Sequence, residues 1–229
     1  MAAGRSADAG RVMVEWPTTA AEAIAVQEEL RGLVEVADVG APARYVAGLD
    51  VAYDRDRLAA AVVVLDAATL GEVDRAVVLG ETTFPYIPGL FAFREIPSLL
   101  TGLERLTVRP GLLVCDGQGL AHPRRFGLAC HLGVLTGIPS IGVAKTTYVG
   151  THQELGHERG TTADLVDGDE VVGAAVRTQD GVKPVYVSVG HRVTLATAVA
   201  HVLRLAPAYR LPETTRLADR ACRAGLRDG

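Results

Sequence analysis

Three carboxylates sit where carboxylates are costly. Asp50 lies inside the apolar run YVAGLDVAY, Asp116 ends LLVCD, and Glu95 lies among apolar neighbours in FAFREIP. A carboxylate in or at the tip of a buried strand carries a large desolvation cost unless it is paired, hydrogen-bonded or metal-bound. In an open α/β sheet, groups at the carboxyl ends of strands border the ligand crevice. Three carboxylates converging there would bind a hard cation through oxygen, Mg²⁺ with Mn²⁺ able to substitute. Asp116 alone also fits a turn, because Asp before glycine is a common turn starter.

Further candidates surround them. Gly117, Gln118 and Gly119 follow the strand that ends at Asp116, and glycines let backbone N–H groups approach a ligand closely. The G-x-G spacing without a third glycine is an incomplete dinucleotide fingerprint. His122 sits in a loop with Arg124 and Arg125 and fits either a polar site or a backbone hydrogen bond. Cys130 and His131 are adjacent, but neighbours on a helix point different ways, so a core reading is preferred to a nucleophile pair. In FPYIPG, two prolines stiffen a loop around Tyr86, Ile87, Pro88 and Gly89, which suits insertion between stacked bases or a packed strand-to-helix turn. Of 23 cations only Lys145 and Lys183 are lysines. Lys145 ends PSIGVAK on the sheet edge of Asp50 and Asp116, where a compact ammonium can offset transition-state charge. Lys183 reads as an exposed turn residue.

These side chains need a scaffold. Thr19 and Glu22 form a capping-box pattern, with helix expected to Glu35. Strands are expected at 44–53, 58–66 and 72–79 as an antiparallel meander, then a helix at 90–106 kinked by Pro97. Strand 111–115, helix 125–136 and strand 139–143 alternate, which implies parallel pairing. Strands at 170–177 and 184–189 and helices at 193–205 and 213–224 complete the chain. The expectation is an α/β fold: a mixed β-sheet flanked by helices, in one domain over residues 11–229, after a flexible tail at 1–10.

Bulk properties bound the function. The net charge of −4 excludes a generally basic nucleic-acid coat but not a local basic groove. The 3 cysteines have no CxxC spacing, which disfavours disulfide scaffolding and points to a reducing cytoplasm. No apolar run is long enough to span a membrane. No heptads or exposed apolar stripe point to assembly, so a monomer is expected.

Together the segments GLDVAY, FPYIPGLFAFREIP, VCDGQGLAHPRRFGLACHLG, IPSIGVAKT and PETTRLADR resemble the endonuclease V family, nucleases acting at inosine in nucleic acids. The resemblance runs over most of the chain and implies an RNase H-like fold. It implies that Asp50, Glu95 and Asp116 are metal-binding catalytic carboxylates, that Lys145 is the active-site lysine, and that Tyr86 is the wedge filling the gap left by a displaced base. Gly89, the Gly117–Gly119 turn and nearby His122 would form the hypoxanthine pocket. In the closing helix some members have a site His and others Asp; here it is Asp219, a site member as ligand or water-positioning base.

The resemblance further implies Mg²⁺-dependent cleavage of the second phosphodiester 3′ to inosine, leaving 3′-hydroxyl and 5′-phosphate ends. The implied partner is DNA containing deoxyinosine, with inosine-containing RNA a second candidate. The competing expectations are another RNase H-like repair nuclease, a non-catalytic nucleic-acid-binding module and, remotely, a nucleotide-binding oxidoreductase.

Overall fold

A computed structural model describes residues 15–40 and 42–228. Most of residues 45–81 forms three long strands joined by tight turns: β1 (Tyr45–Asp54), β2 (Arg57–Asp66) and β3 (Glu72–Glu81). These pair antiparallel, as the short charged links require. Next come α2 (Ala92–Arg105), β4 (Leu112–Asp116), α3 (Leu128–Thr136) and β5 (Ser140–Ala144), after the amino-terminal α1 (Ala20–Arg31). β4 pairs parallel to both β1 and β5. Strands β6 (Thr162–Asp167), β7 (Glu170–Val176) and β8 (Val185–His191) extend the sheet antiparallel, and α4 (Leu195–Leu205) and α5 (Glu213–Asp228) close the chain.

The result is one eight-stranded mixed sheet in the order β3-β2-β1-β4-β5-β8-β7-β6. One face carries α4 and α5 over Val46, Val63, Val114 and Val143; the other carries α2 and α3 over Leu49, Val62, Leu113 and Cys115. β2 and β4 are buried along nearly their whole length, so both faces of the sheet are covered. The expected mixed sheet with flanking helices is the architecture found.

Among the differences from the sequence reading, three have a clear local reason. α1 has its full capping box at Thr19 and Glu22 but stops at Arg31, with Gly32 as its cap, short of Glu35. α3 begins at Leu128 rather than 125, because Arg125 takes a left-handed φ of 55° and Gly127 is the extended cap. β6 is an additional strand at the sheet edge. Of its six residues only Leu165 is buried, which left little apolar alternation to detect. The Asp167–Gly168 turn into β7 was the available signal, since Asp-Gly favours hairpins.

α2 passes through Pro97 as one helix. Proline has no N–H for the carbonyl four residues back. That carbonyl, on Phe93, instead accepts from the Trp16 indole N–H at 3.1 Å. A residue 77 positions away thus satisfies the acceptor orphaned by Pro97, and Glu95 stays on a continuous helix.

Candidate active site

The parallel strands bring three candidates to one end of the sheet. In β1 and β4, Leu49 pairs with Cys115, so the next step sets Asp50 beside Asp116. In β4 and β5, Asp116 pairs with Val143, and Lys145 lies two residues on, on the same face. The Lys145 ammonium meets Asp116 Oδ2 at 2.5 Å. Asp219 arrives from α5, which covers that face. The approach is close because Gly48 has no side chain: a Cβ there would lie 2.0 Å from the Thr214 carbonyl oxygen. Farther along α5, the Cys222 thiol donates to the Asp50 carbonyl.

Glu95 comes from the opposite face on α2. It is 8% exposed, and the Tyr53 hydroxyl donates to its Oε1 at 3.0 Å. Two of the carboxylates are strongly shifted. Burial, then the charges of Asp116 and Asp219, raise the Asp50 carboxyl to about 7 against the Val51 N–H and Lys145. Burial, with Asp50 and Asp116 adding, raises Glu95 to about 8 against the Tyr53 hydrogen bond and Arg94. Burial disfavours the charged Lys145, but Asp116, Asp50 and Asp219 outweigh it and the ammonium is held more firmly than usual.

Among the described residues no three His, Cys, Asp or Glu side chains form a ready-made metal cluster. Lys145 holds Asp116, Tyr53 holds Glu95 and Arg223 holds Asp219 at 2.8 Å. The donor set nevertheless suits a hard cation. All the candidate ligands are oxygens, and two of them are pushed towards protonation by burial and then by neighbouring carboxylates, a cost that a divalent charge would relieve.

Beside the carboxylates lies a pocket of about 340 Å³, lined by Tyr86, Pro88, Gly89, Asp116, Gly117, Gln118, Lys145 and Tyr148 among others. Tyr86 stands 74% exposed at its mouth, with the Arg94 guanidinium 6.0 Å from its ring centre, so it is not packed down. Gln118 donates to the Thr146 carbonyl, while its buried Oε1 has no protein partner. Ile87 instead packs with Phe84, Leu90 and Phe93 and roots the loop.

Gly119 and His122 lie behind the pocket wall. The Gly119 N–H donates to Ser188 Oγ. His122 Nδ1 accepts from the Arg124 N–H, so Nε2 carries the proton and donates to the Gly89 carbonyl at 3.0 Å. Burial, then Arg124, lowers this imidazole to about 4, which keeps it neutral. His122 thus holds the loop rather than facing the cavity. Arg124 Nη2 and Gln27 Nε2 donate to the same carbonyl at 2.8 and 3.0 Å. Gly89 has a φ of 79°, and a Cβ there would come within 2.8 Å of Arg124, so the anchor requires glycine. Arg125 is taken up by Asp167 and Glu170, which makes it a structural cation rather than a free phosphate ligand.

A family model for Endonuclease V matches residues 28–220. The chain belongs to the endonuclease V family. It is 61% identical over 217 residues to Endonuclease V of Streptomyces coelicolor, covering 93% of each chain. The crystal structure of Endonuclease V from Streptomyces avermitilis superposes with a TM-score of 0.90 at 57% identity, over 95% of this chain and 97% of that one. The Ciona intestinalis Endonuclease V, solved with a 24mer DNA containing an inosine followed by a ribo-adenosine, gives 0.79 at 28% identity, over 91% and 98%. Membership in the endonuclease V family places the chain among nucleases.

Sequence reasoning missed three site neighbours in this endonuclease V chain. Gln27 is fully buried on the core face of α1, spaced with Ala23 and Leu30, and a polar residue at a core position was its signal. Tyr53, three residues after Asp50, had only its place in GLDVAY to mark it. Arg210 binds the Lys145 carbonyl at 2.7 Å along with those of Lys183 and Pro184, and nothing local announces that reach.

Proposed function

We propose that the protein is a divalent-metal-dependent endonuclease that recognises inosine, the deamination product of adenosine, in DNA. It hydrolyses the second phosphodiester bond 3′ to the lesion. The observation that carries this reading is the junction of two features at one ion pair. Asp116 and Lys145 belong to the carboxylate cluster and also line the pocket beneath Tyr86. The Ciona relative bound to inosine-containing DNA supports the substrate class.

Asp50, Asp116 and Glu95 would hold one or two Mg²⁺ ions, or Mn²⁺ in their place. The bound cation would supply Lewis-acid stabilisation of phosphate charge and a water of lowered pKa. The residues of the chain do the rest. Asp219 is placed as a further ligand or to take the proton of the attacking water. Water adds to phosphorus, the bond from phosphorus to the 3′ oxygen breaks, and 3′-hydroxyl and 5′-phosphate ends result. Lys145 offsets charge on the phosphoryl oxygens.

Tyr86, stiffened by Pro85 and Pro88, fills the gap left by the flipped base. Gly89, Gly117, Gln118 and the peptide groups of that turn face the base edge, with Gly119 and His122 supporting them from behind. Hypoxanthine presents an N–H donor at N1, where adenine has an acceptor, and lacks guanine's exocyclic amine. We place this activity in one domain over 11–229, the tail at 1–10 lying outside the described residues, and in a cytoplasmic monomer. All three cysteines are free, in keeping with a reducing compartment. Among the described residues no helix is long and apolar enough to cross a membrane.

Matched oligonucleotides carrying inosine or adenosine, in DNA and in RNA, test the reading with Mg²⁺, with Mn²⁺ and with chelator. Cleavage confined to the inosine strands and abolished by chelator is expected. Equal cleavage of adenosine strands would instead indicate a general RNase H-like nuclease, and binding without cleavage a non-catalytic module.

A further inference from the structure

α5 carries four arginines, Arg216, Arg220, Arg223 and Arg227, at intervals of four, three and four residues. That spacing puts them in one stripe along the helix. All four line a second cleft, of about 460 Å³, whose other lining residues include Asp116, Lys145 and Asp219. The base pocket and the arginine cleft therefore meet at the Asp116–Lys145 pair and lead away from it as separate cavities.

The stripe is only partly neutralised. Arg216 is held by Glu213 and lies 3.5 Å from the Tyr209 ring centre, and Arg223 is held by Asp219. Arg220 and Arg227 are exposed and have no ion pair or hydrogen bond among the described residues. A chain of net charge −4 thus places four arginines on the helix that also delivers Asp219. The stripe runs over twelve residues, about 16 Å of helix, close to the rise of about five nucleotides along one strand of duplex. Guanidinium groups match phosphate geometry and remain charged at every physiological pH.

We propose that the α5 arginine stripe is the binding track for the sugar–phosphate backbone on the 3′ side of the cut. The assignment rests on the reading above. With the flipped base in the Tyr86 pocket and the reacting phosphate at Asp116 and Lys145, a strand continuing in the 3′ direction enters the arginine cleft. The stripe binds backbone without reading sequence, and it anchors the 5′-phosphate product strand.

The test compares the full-length protein with R220Q/R227Q, two exposed changes that remove neither ion pair. Binding to a labelled inosine oligonucleotide is measured in Ca²⁺ across a salt series. One oligonucleotide extends ten nucleotides past the inosine on its 3′ side; another ends two nucleotides past it. On the long oligonucleotide the variant should lose about 1.4 to 1.8 from the slope of log affinity against log salt, the contribution of two phosphate contacts. On the truncated one the two proteins should match. An unchanged slope on the long oligonucleotide overturns the proposal, and so does an equal loss on both. The inosine-to-adenosine affinity ratio is read in the same titration. A ratio of one would sink the inosine reading while leaving the slope difference to report on the track.

Discussion

Two regions of this molecule bury ionisable groups, one among other charges and one among hydrocarbon. Where β1 runs past the end of β4, Asp50 and Asp116 meet Glu95 from α2, Asp219 and Lys145, and burial first, with neighbouring carboxylate charges adding, pushes Asp50 and Glu95 towards protonation. Inside the molecule, His131 on α3 is fully buried among Trp16, Phe93 and Phe126, with ring centres 5.0 to 5.9 Å away and neither ring nitrogen hydrogen-bonded. Burial alone lowers it to about 3. The carboxylates are shifted by burial with one another's charges added, beside a cavity. The histidine is perturbed by hydrocarbon and has no route to a ligand. A shifted ionisation marks a site only when several charges share the shift and an opening.

The largest expected effect tests the first region. Glu95→Gln keeps an acceptor for Tyr53 but removes a charge from the proposed cation site; inosine-dependent cleavage should fall about 10³-fold, the loss of roughly 4 kcal/mol of transition-state stabilisation. Wild-type rates in that variant would break the comparison. Next in size, Tyr86→Ala should weaken binding to the inosine site about tenfold, while binding to the matching adenosine strand is unchanged. Equal affinities for wild type and variant would argue against insertion. Gln27→Leu strips one donor from the Gly89 carbonyl and leaves the Arg124 guanidinium short of an acceptor. A stability loss of about 1–3 kcal/mol is expected in denaturant titration, with KM rising more than kcat falls.

The two regions also respond to pH with opposite signs. Asp50 and Glu95 ionise in the folded protein well above the usual carboxylate range, so the unfolded chain holds fewer protons and stability falls as pH rises through about 4 to 8. His131 is depressed, so the unfolded chain holds more protons and stability falls as pH drops from about 6.5 towards 3. In chelator, thermal midpoints should therefore decline between pH 6.5 and 8.5, and added Mg²⁺ should flatten that decline. A midpoint that rises over this interval would contradict the sign. The smallest effect belongs to His131→Phe. Cleavage should stay within about twofold, and the acid-side loss should shrink, because a ring with two unpartnered nitrogens is exchanged for one with none.

Much of this was visible in the chain because its signals are local. Asp50 stands out within YVAGLDVAY, Asp116 and Lys145 end apolar strands, and the prolines of FPYIPG announce a stiff loop. The meander and the strand–helix alternation likewise follow from short links and buried runs. What escaped depends on distance in sequence. The grip of His122, Arg124 and Gln27 on one carbonyl joins three segments and recasts His122 as a loop anchor. Arg125 shares the His122 loop, yet its partners on β6 and β7 are more than forty residues away. β6 escaped because an edge strand with a single buried residue carries almost no periodic signal.

The central claim is that Asp50, Glu95 and Asp116 hold the cation and perform the chemistry. Single-turnover cleavage of an inosine-containing oligonucleotide in Mg²⁺ by Asp50→Asn, with its binding measured in Ca²⁺, tests that most directly. The expected result is cleavage reduced to background with lesion binding intact; cleavage at the wild-type rate would contradict the account.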